Sequence, residues 1–527
     1  MSGSSSRLIL SSLILATVVC GAAVQIGLLW FSSIPLGIPG EWVWPRLKPI
    51  VPLLAMIWPA MLMGAVLAGY VCLNALNFNH FQRRSRGLLL LGLWGIGIVW
   101  ILSLVGSAPG IAGLNRIPFV LFYTRSSGYF TQAYEHRHNV REFLKGYRER
   151  IEDSSNPENH LHLGTHPPGL TSALIGMMWM TENVPGVSSL FTVTQPQAFQ
   201  ESVETIRQFE LANGKPPTLQ QNEAAVLWMA ALLTAVMAAG TCLPLYLLAR
   251  RFVDPSTAWW GAGCWLLVPA IPIFLPKSDV CFPLLAMGAQ FLWLTALDRN
   301  RFSTGFWTGV VMCVALSLTL AFSPIALMFL LQGIVLTVLS GPLSQWKSSL
   351  IQRWRPPVGA IVALLAWLLV CGIAGQMNLL GIWIQNLKNH AAFYAHNVRT
   401  YPAWLLEIPI ELAFSLGLPV AILAVLGVVG LFRQHRGEHN AGKRWELLIP
   451  VAVWLVLWLS GKNMGEAARL WVFLMPYALW CATLGIQKLN GTRSGWRVLS
   501  ICFLVQLVVA IATAIRIDGF GFEELRM

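Results

Sequence analysis

The sequence predicts an all-α polytopic membrane protein with about thirteen transmembrane helices. Of its 527 residues, 56% are hydrophobic and only 11% are charged. A soluble protein of that composition could not cover its surface with polar groups. Apolar stretches of roughly 17 to 25 residues recur along the chain, each long enough to cross about 30 Å of hydrocarbon as a helix. The short alternating segments typical of a transmembrane β-barrel are not seen in the sequence.

Thirteen apolar segments define the predicted helices. The first, at residues 8–32, follows a single basic residue, Arg7, and is too long for the core of a signal peptide, so we expect it to be retained. The other segments lie at about 49–76, 88–106, 223–248, 257–275, 281–297, 304–321, 324–340, 358–374, 409–432, 446–460, 469–486 and 498–515.

Basic residues are concentrated in alternate turns between these segments. They are Arg83, Arg84 and Arg86; Arg250 and Arg251; Arg299 and Arg301; Lys347, Arg353 and Arg355; Arg433, Arg436, Lys443 and Arg444; and Lys488, Arg493 and Arg497. Cytoplasmic turns carry an excess of Lys and Arg, so these turns and the N-terminus are predicted to be cytoplasmic. The net charge of +13 then serves orientation and gives no reason to expect nucleic acid as a partner. The nine scattered cysteines form no CxxC pair, so neither disulfides nor thiolate metal sites are expected.

One long polar insertion, at residues 107–222, falls on the opposite, outer side. Its apolar part, "PPGLTSALIGMMWM", would place every later basic turn outside if it crossed alone. We therefore expect a helix lying on the outer membrane surface, with Pro167 and Pro168 in its first turn. The spacing of apolar residues predicts an amphipathic helix over Asn139–Ile151, and a second short helix is expected near residues 199–212.

Five histidines lie in this insertion: His136, His138, His160, His162 and His166. Imidazole suits zinc or copper, but no cysteine or fixed carboxylate spacing accompanies the histidines, so no metal ligand set is predicted. His166 differs because Pro-Pro follows it and begins a helix. The free N–H groups of a helix N-terminus suit a phosphate or carboxylate. The other interpretation is a rigid elbow that turns the chain onto the membrane.

Two short outer turns carry the remaining charged candidates. In "FLPKSDVCFP", Asp279 lies at the membrane edge, where a carboxylate is costly unless it is paired or functional, and Lys277 could be its ion partner. In "GKNMGEAARLWVFLMP", Glu466 and Arg469 are spaced to face one cavity or to pair with each other. Lys462 adds a second cation suited to a phosphate.

A second outer loop, at residues 376–408, contains "NLKNHAAFYAHNVRTYPAW". It combines the cations and histidines Lys388, His390, His396 and Arg399 with the aromatic residues Phe393, Tyr394, Tyr401 and Trp404. Aromatic rings beside cations bind sugars or lipid headgroups, but they also form the ordinary interfacial belt, which is the favoured interpretation. All the uncommon polar features thus fall on one side, which favours chemistry at the outer face.

Four motifs occur in a fixed order along the chain: "GYFTQAYEHRHNVREFLKGY" from Gly128, "THPPG" from Thr165, "KSDVCFPLLA" around Asp279 and "GEAARLWVFLMP" around Arg469. In their order and in their shared side of the membrane, these motifs resemble those of the GT-C superfamily of membrane glycosyltransferases, particularly the protein O-mannosyltransferase and lipid A aminoarabinose transferase branch. The resemblance covers about residues 88–490. It implies a GT-C-like fold in the bacterial inner (plasma) membrane.

The resemblance also implies a division of the chain. Residues 1–87 would be two additional helices and residues 88–515 the GT-C-like domain, with the outer loops at 107–222 and 376–408. Residues 516–527 would form a C-terminal tail. One feature departs from the family pattern, because the usual catalytic acid should lie just before "GYF", where this chain has Ser126, Ser127 and Gly128.

The activity implied is inverting transfer of a sugar from a polyprenyl-phosphate donor to a protein, lipid or polysaccharide acceptor, with a divalent cation left open as a cofactor. Asp279 would act as base or orient the acceptor, Glu135 is a second base candidate, and Glu41 is a more distant one. The substrate-binding residues would be His166, Lys462 and Arg469 around the phosphate, Glu466, which would orient Arg469, and Arg399. Two rival functions remain: a transporter or lipid flippase, which predicts polar residues within the helices, and an inactive relative acting as an assembly subunit.

Overall fold

The computed structural model describes residues 2–49, 51–124, 126–152, 163–339, 346–433, 442–490 and 493–521. Strands β1 (Gly37–Ile38) and β2 (Trp42–Val43) form one antiparallel ribbon. The helices are α1 Ser2–Phe31, α2 Leu53–Asn77, α3 Arg83–Gly106, α4 Arg116–Phe122, α5 Tyr129–His136, α6 Val140–Lys145, α7 Tyr147–Glu152, α8 Gly169–Asn183, α9 Val187–Val193, α10 Gln197–Ala212, α11 Gln221–Gly240, α12 Cys242–Ala249, α13 Pro255–Trp265, α14 Ala270–Phe274, α15 Phe282–Arg299, α16 Phe302–Leu318, α17 Ser323–Val338, α18 Trp346–Gln352, α19 Arg355–Ala374, α20 Leu379–His396, α21 Tyr401–Leu416, α22 Leu418–Arg433, α23 Trp445–Leu459, α24 Ala467–Leu470, α25 Met475–Gln487 and α26 Arg493–Ala514.

The predicted all-α polytopic class is confirmed, but the predicted count of thirteen spans is not. Nine helical stretches among the described residues are long and apolar enough to cross a membrane, and the pair α21–α22 makes a tenth if it counts as one span. Three predicted spans correspond to shorter apolar helices, at Phe302–Leu318, Trp445–Leu459 and Val472–Gln487. The apolar helices indicate an integral membrane protein.

The predicted span 409–432 is a bent pair of helices. The axes of α21 and α22 meet at 111°, and Gly417 between them has a φ of +85°. A side chain is disfavoured there twice over, because that φ suits glycine and because an added Cβ would lie 2.4 Å from the Gln506 amide nitrogen. Gln506 in turn donates to the Leu416 carbonyl at 3.0 Å, which satisfies a backbone acceptor at the end of α21.

The bundle has two polar ends. At one end, Arg251 forms ion pairs with Asp298 at 2.7 Å and with the buried Glu446 at 2.6 Å. We call this end the basic face, since the turns at Arg250–Arg251 and Arg299–Arg301 lie there. The helix α15 runs from it to Asp279 at the other end, which we call the site face and which also holds Arg469. The basic turns at Arg250–Arg251 and Arg299–Arg301 therefore lie at the opposite end of the bundle from Asp279.

The insertion 107–222 is rich in helices. The predicted helix over 139–151 is two helices, α6 and α7, separated at Gly146, although its predicted face is buried through Phe143, Tyr147 and Ile151. The helix predicted near 199–212 is confirmed as α10. Much of the predicted loop 376–408 is the helix α20.

The helix α8 begins at Gly169, so Pro167 and Pro168 lie just before its first turn instead of within it. Gly169 packs against the end of α16 so closely that an added Cβ would lie 2.2 Å from the Ser317 carbonyl oxygen. Only glycine fits this contact without a shift of backbone. The Pro-Pro-Gly sequence therefore fixes where α8 enters the bundle.

Candidate functional site

Asp279 lies in a short 3₁₀ turn, Ser278–Cys281, that connects α14 to α15. The Val280 amide donates to the Lys277 carbonyl at 3.2 Å, which tightens the turn, and Pro283 follows in the first turn of α15. Asp279 is partly buried, whereas Val280 behind it is fully buried. The turn therefore anchors an apolar residue in the core and leaves the carboxylate at the site face.

Lys277, two residues earlier, is 9% exposed, and its ammonium donates to the backbone carbonyl of Ser126. The predicted ion pair with Asp279 is not among the ion pairs of the described residues. Burial and then the positive charge of Arg469 lower the pKa of Lys277 to about 7, although Asp279 and Glu466 act in the opposite direction. The amine therefore lies within the electrostatic reach of three other charged groups.

Arg469 and Glu466 come from α24 and the residue before it. Arg469 Nη2 lies 3.0 Å from Glu466 Oε2, and the two side chains are 12% and 25% exposed. Burial alone would lower the pKa of Arg469, but the negative charges of Glu466 and Asp279 raise it. The buried Nε of Arg469 has no hydrogen-bond partner among the described atoms. This arginine therefore keeps a donor that a ligand could use.

Tyr129 lies near Asp279 and Arg469, and together with Lys277 and Glu466 we call these residues the Asp279 group. It begins α5 directly after Gly128, which has a φ of +70°. Burial, followed by the charges of Tyr147 and Asp279, raises the pKa of Tyr129 well above its usual value, and Arg469 opposes the shift. Tyr129 is thus a neutral hydroxyl near both Asp279 and Arg469, and the sequence had not singled it out.

His166 contacts the Asp279 group through Tyr129. The two rings meet edge to face with their centroids 6.0 Å apart, and His166 Nδ1 lies 3.0 Å from Thr165 Oγ1. The His166 carbonyl accepts hydrogen bonds from Tyr147 at 2.8 Å and from Asn386 at 3.2 Å. The backbone before the Pro-Pro pair is therefore held in place on both sides, as the elbow interpretation requires.

Glu135 and Lys462 lie apart from Asp279. Glu135 is exposed on α5, and the Gln132 amide approaches it at 3.5 Å. Lys462 is also exposed, and its charge acts on His390, whose pKa is lowered first by burial and then by that lysine. No described contact joins either residue to the Asp279 group.

Arg399 and Glu41 form a separate structural contact. Arg399 Nη1 donates to the Glu41 carbonyl oxygen at 2.7 Å. The Glu41 carboxylate accepts from the Thr400 hydroxyl, from the Thr400 amide at 2.9 Å and from Trp404 Nε1 at 2.7 Å. The two bonds from Thr400, first that of its hydroxyl and then that of its amide, are the main reason that the pKa of Glu41 is lowered. Glu41 therefore joins the β1–β2 ribbon to α21.

The histidines do not form a metal site in the part of the chain that the structure describes, which holds no group of three potential ligands. His136 Nε2 accepts a 2.6 Å hydrogen bond from Arg150 Nη1, and its ring stacks on Phe143. His160 and His162 lie outside the described residues, as does the side chain of His396. A divalent cation stays an open prediction.

Lys277 predicts a specific pH dependence of stability. Its pKa is about 7 in the folded protein and near 10.5 in an unfolded chain, so the unfolded state binds more protons between these values. The free energy of unfolding should therefore increase from pH 7 to about pH 10 because of this residue. Lys277→Met should remove that increase, which thermal denaturation of both proteins at pH 7 and pH 9 would measure. An equal pH dependence in the two proteins would contradict the burial of the amine.

Comparisons with known proteins identify no relative of this chain. No family model matches the chain, and neither does any curated protein. What the chain itself offers is a carboxylate, two buried basic side chains and a neutral phenol that three distant segments bring to one end of a helical bundle.

Proposed function

We propose that the protein is a glycosyltransferase that moves a sugar from a polyprenyl-phosphate donor to an acceptor at the outer face of the membrane. The observation that carries the proposal is the grouping of Asp279 with Lys277 and Arg469. A carboxylate beside cations suits a reaction that takes a proton from an acceptor and releases a phosphate. The resemblance of the four motifs supports the same reaction.

In this reaction the acceptor hydroxyl oxygen attacks the anomeric carbon and the bond from that carbon to the phosphate oxygen breaks. Asp279 takes the hydroxyl proton, and the polyprenyl phosphate departs with the bonding electrons. Arg469 is suited to the departing phosphate because its buried Nε has no partner in the part of the chain that the structure describes, while its Nη2 lies 3.0 Å from Glu466 Oε2. Attack opposite the leaving phosphate inverts the configuration of the sugar.

Lys277 and Tyr129 have supporting parts in the proposal. A lysine with a pKa of about 7 gains a proton readily when a phosphate binds nearby. Tyr129, kept neutral by its surroundings, can donate a hydrogen bond to a sugar or phosphate oxygen. His166 would position Tyr129 through their edge-to-face contact.

The outer location follows from the charge pattern. The basic turns at Arg251 and Arg299 lie at the opposite end from Asp279, and cytoplasmic turns are the basic ones. Polyprenyl-phosphate sugars presented at the outer face would then reach the site from the lipid. The acceptor could be a protein, a lipid or a polysaccharide.

The test is a transfer assay with the purified protein in proteoliposomes that contain a radiolabelled polyprenyl-phosphate sugar and an envelope extract as acceptor source. We expect label to leave the carrier lipid and appear in an acceptor. Movement of intact labelled carrier across the bilayer without sugar release would instead indicate a flippase. Neither release nor movement would favour an inactive relative and would overturn the proposal.

A further inference from the structure

A cavity of about 210 Å³ opens beside the β1–β2 ribbon at the site face. Most of its wall is apolar, and it includes Trp44, Ile34 and Ile410. Ile34 and Ile410 are 60% and 51% exposed, as expected for side chains that face lipid. We call it the Trp44 cavity. This cavity is separate from Asp279 and from the proposed donor site, although Ala468 forms part of its inner wall.

The cavity contains a carboxyl group with an unused oxygen. Glu411, in α21, is 8% exposed; its Oε1 accepts from Trp44 Nε1 at 3.2 Å and from the Ala468 amide at 3.0 Å. Its Oε2 is buried and has no hydrogen-bond partner in the described structure. Glu407 also lines the cavity, and its charge and that of Glu466 act on Glu411. A carboxyl group in this setting is costly to ionise unless a cation with hydrogen-bond donors is bound.

A cationic group lies on another part of the same wall. Arg46 Nη2 donates to the Leu28 carbonyl at 3.1 Å and also to that of Ile34, while its buried Nε has no hydrogen-bond partner among the described residues. Burial, and then the positive charge of Arg516, lowers the pKa of Arg46. Because Arg516 is a second cation near Arg46, binding of an anion at this place would be electrostatically favourable. The cavity therefore presents carboxylates at one place and a guanidinium at another.

We propose that the Trp44 cavity binds a zwitterionic phospholipid with a primary amine in its headgroup, with the ammonium on Glu411 and the phosphate on Arg46. Each charge of an ethanolamine headgroup then meets an opposite charge, and the three N–H donors of the ammonium include one for Glu411 Oε2. The acyl chains would leave the cavity along the lipid-facing Ile34 and Ile410. This binding is independent of the proposed transfer reaction.

Other headgroups fit these charges less well. A choline headgroup carries the same charges but has no N–H to donate, so Glu411 Oε2 would stay unsatisfied, which should lower the affinity at least about fivefold. A glycerol headgroup has hydroxyl donors and a phosphate for Arg46, but it brings no positive charge to Glu407 and Glu411. An amine-bearing phospholipid should therefore be preferred over both.

Native mass spectrometry of the purified full chain would test this, using added phosphatidylethanolamine, phosphatidylcholine or phosphatidylglycerol with identical acyl chains. We expect one tightly retained phosphatidylethanolamine, with occupancy at least about fivefold above that of the choline lipid, since each 1.4 kcal/mol is a factor of ten. Glu411→Gln should bring the two occupancies close together, because glutamine keeps the acceptor for Trp44 and Ala468 but cannot pair with an ammonium.

The matched control is Glu201→Gln, an exposed glutamate on α10 that should leave lipid retention unchanged. If Glu411→Gln cannot be purified, Glu407→Gln should reduce the ethanolamine preference at least twofold. Equal retention of the ethanolamine and choline lipids by the wild-type protein would overturn the proposal. A preference for the glycerol lipid would also overturn it, since that result would mean that the cavity recognises only the phosphate and not the ammonium.

Discussion

Asp279→Asn is expected to lower the rate of sugar transfer about 10²- to 10⁴-fold while the protein stays folded, because general base catalysis contributes about that factor. Asparagine has nearly the same shape as aspartate, so the turn between α14 and α15 should keep its geometry. It cannot take the acceptor proton. The substitution also removes a negative charge that acts on Arg469 and Tyr129. The measurement is the initial rate of label transfer in proteoliposomes at saturating donor.

Two comparisons make this result specific to Asp279. Glu201→Gln, an equivalent change on the exposed surface of α10, should retain the wild-type rate. The Michaelis constant for the donor should change much less than kcat in Asp279→Asn, since in the proposed reaction the lost group would act on the acceptor proton. A wild-type rate in Asp279→Asn would show that the base is another residue, and Glu135 would then be the next to substitute.

Much of the site could be predicted because turns at one end of a bundle are forced together. The charge pattern indicates which turns share a face, and Asp279, Glu466 and Arg469 all lie on turns of the same face. The structure brings these three close enough for their charges to interact. It does not do so for Glu135 or Lys462, because side-chain direction within a helix or turn depends on packing that the order of motifs does not reveal.

Other features of the structure had weaker signals in the sequence. Lys277 was recognised beside Asp279, but its hydrogen bond to Ser126 depends on how the insertion folds back over α15. Glu411 lies within a predicted apolar span, in "EIPIELAF", and a buried acid at membrane depth is a functional signal in itself. The bend at Gly417 required both a glycine and the distant Gln506, which no local pattern connects.

Arg469→Ala is expected to reduce kcat/KM for the donor about 10²- to 10³-fold, the usual cost of losing one preorganised donor to a developing anion. Arg469→Lys should recover part of that loss, because lysine restores the positive charge but cannot offer two parallel donors to a phosphate. Glu466 is already 25% exposed beside Arg469 in the wild-type protein, so water can solvate its carboxylate when the arginine is removed. The thermal midpoint should therefore fall only slightly, and the rate and the midpoint should be measured on the same preparations.

The matched control is Arg148→Ala, which removes an exposed ion pair of the same length, 3.0 Å to Glu152, away from Asp279. It should change neither transfer nor stability by much, since exposed pairs contribute about 0–1 kcal/mol. If Arg469→Ala lost stability in proportion to activity, and Arg469→Lys recovered both together, the arginine would serve the fold through Glu466. A loss confined to kcat/KM instead assigns the guanidinium to the departing phosphate, because the missing contact would then matter only when the donor is bound.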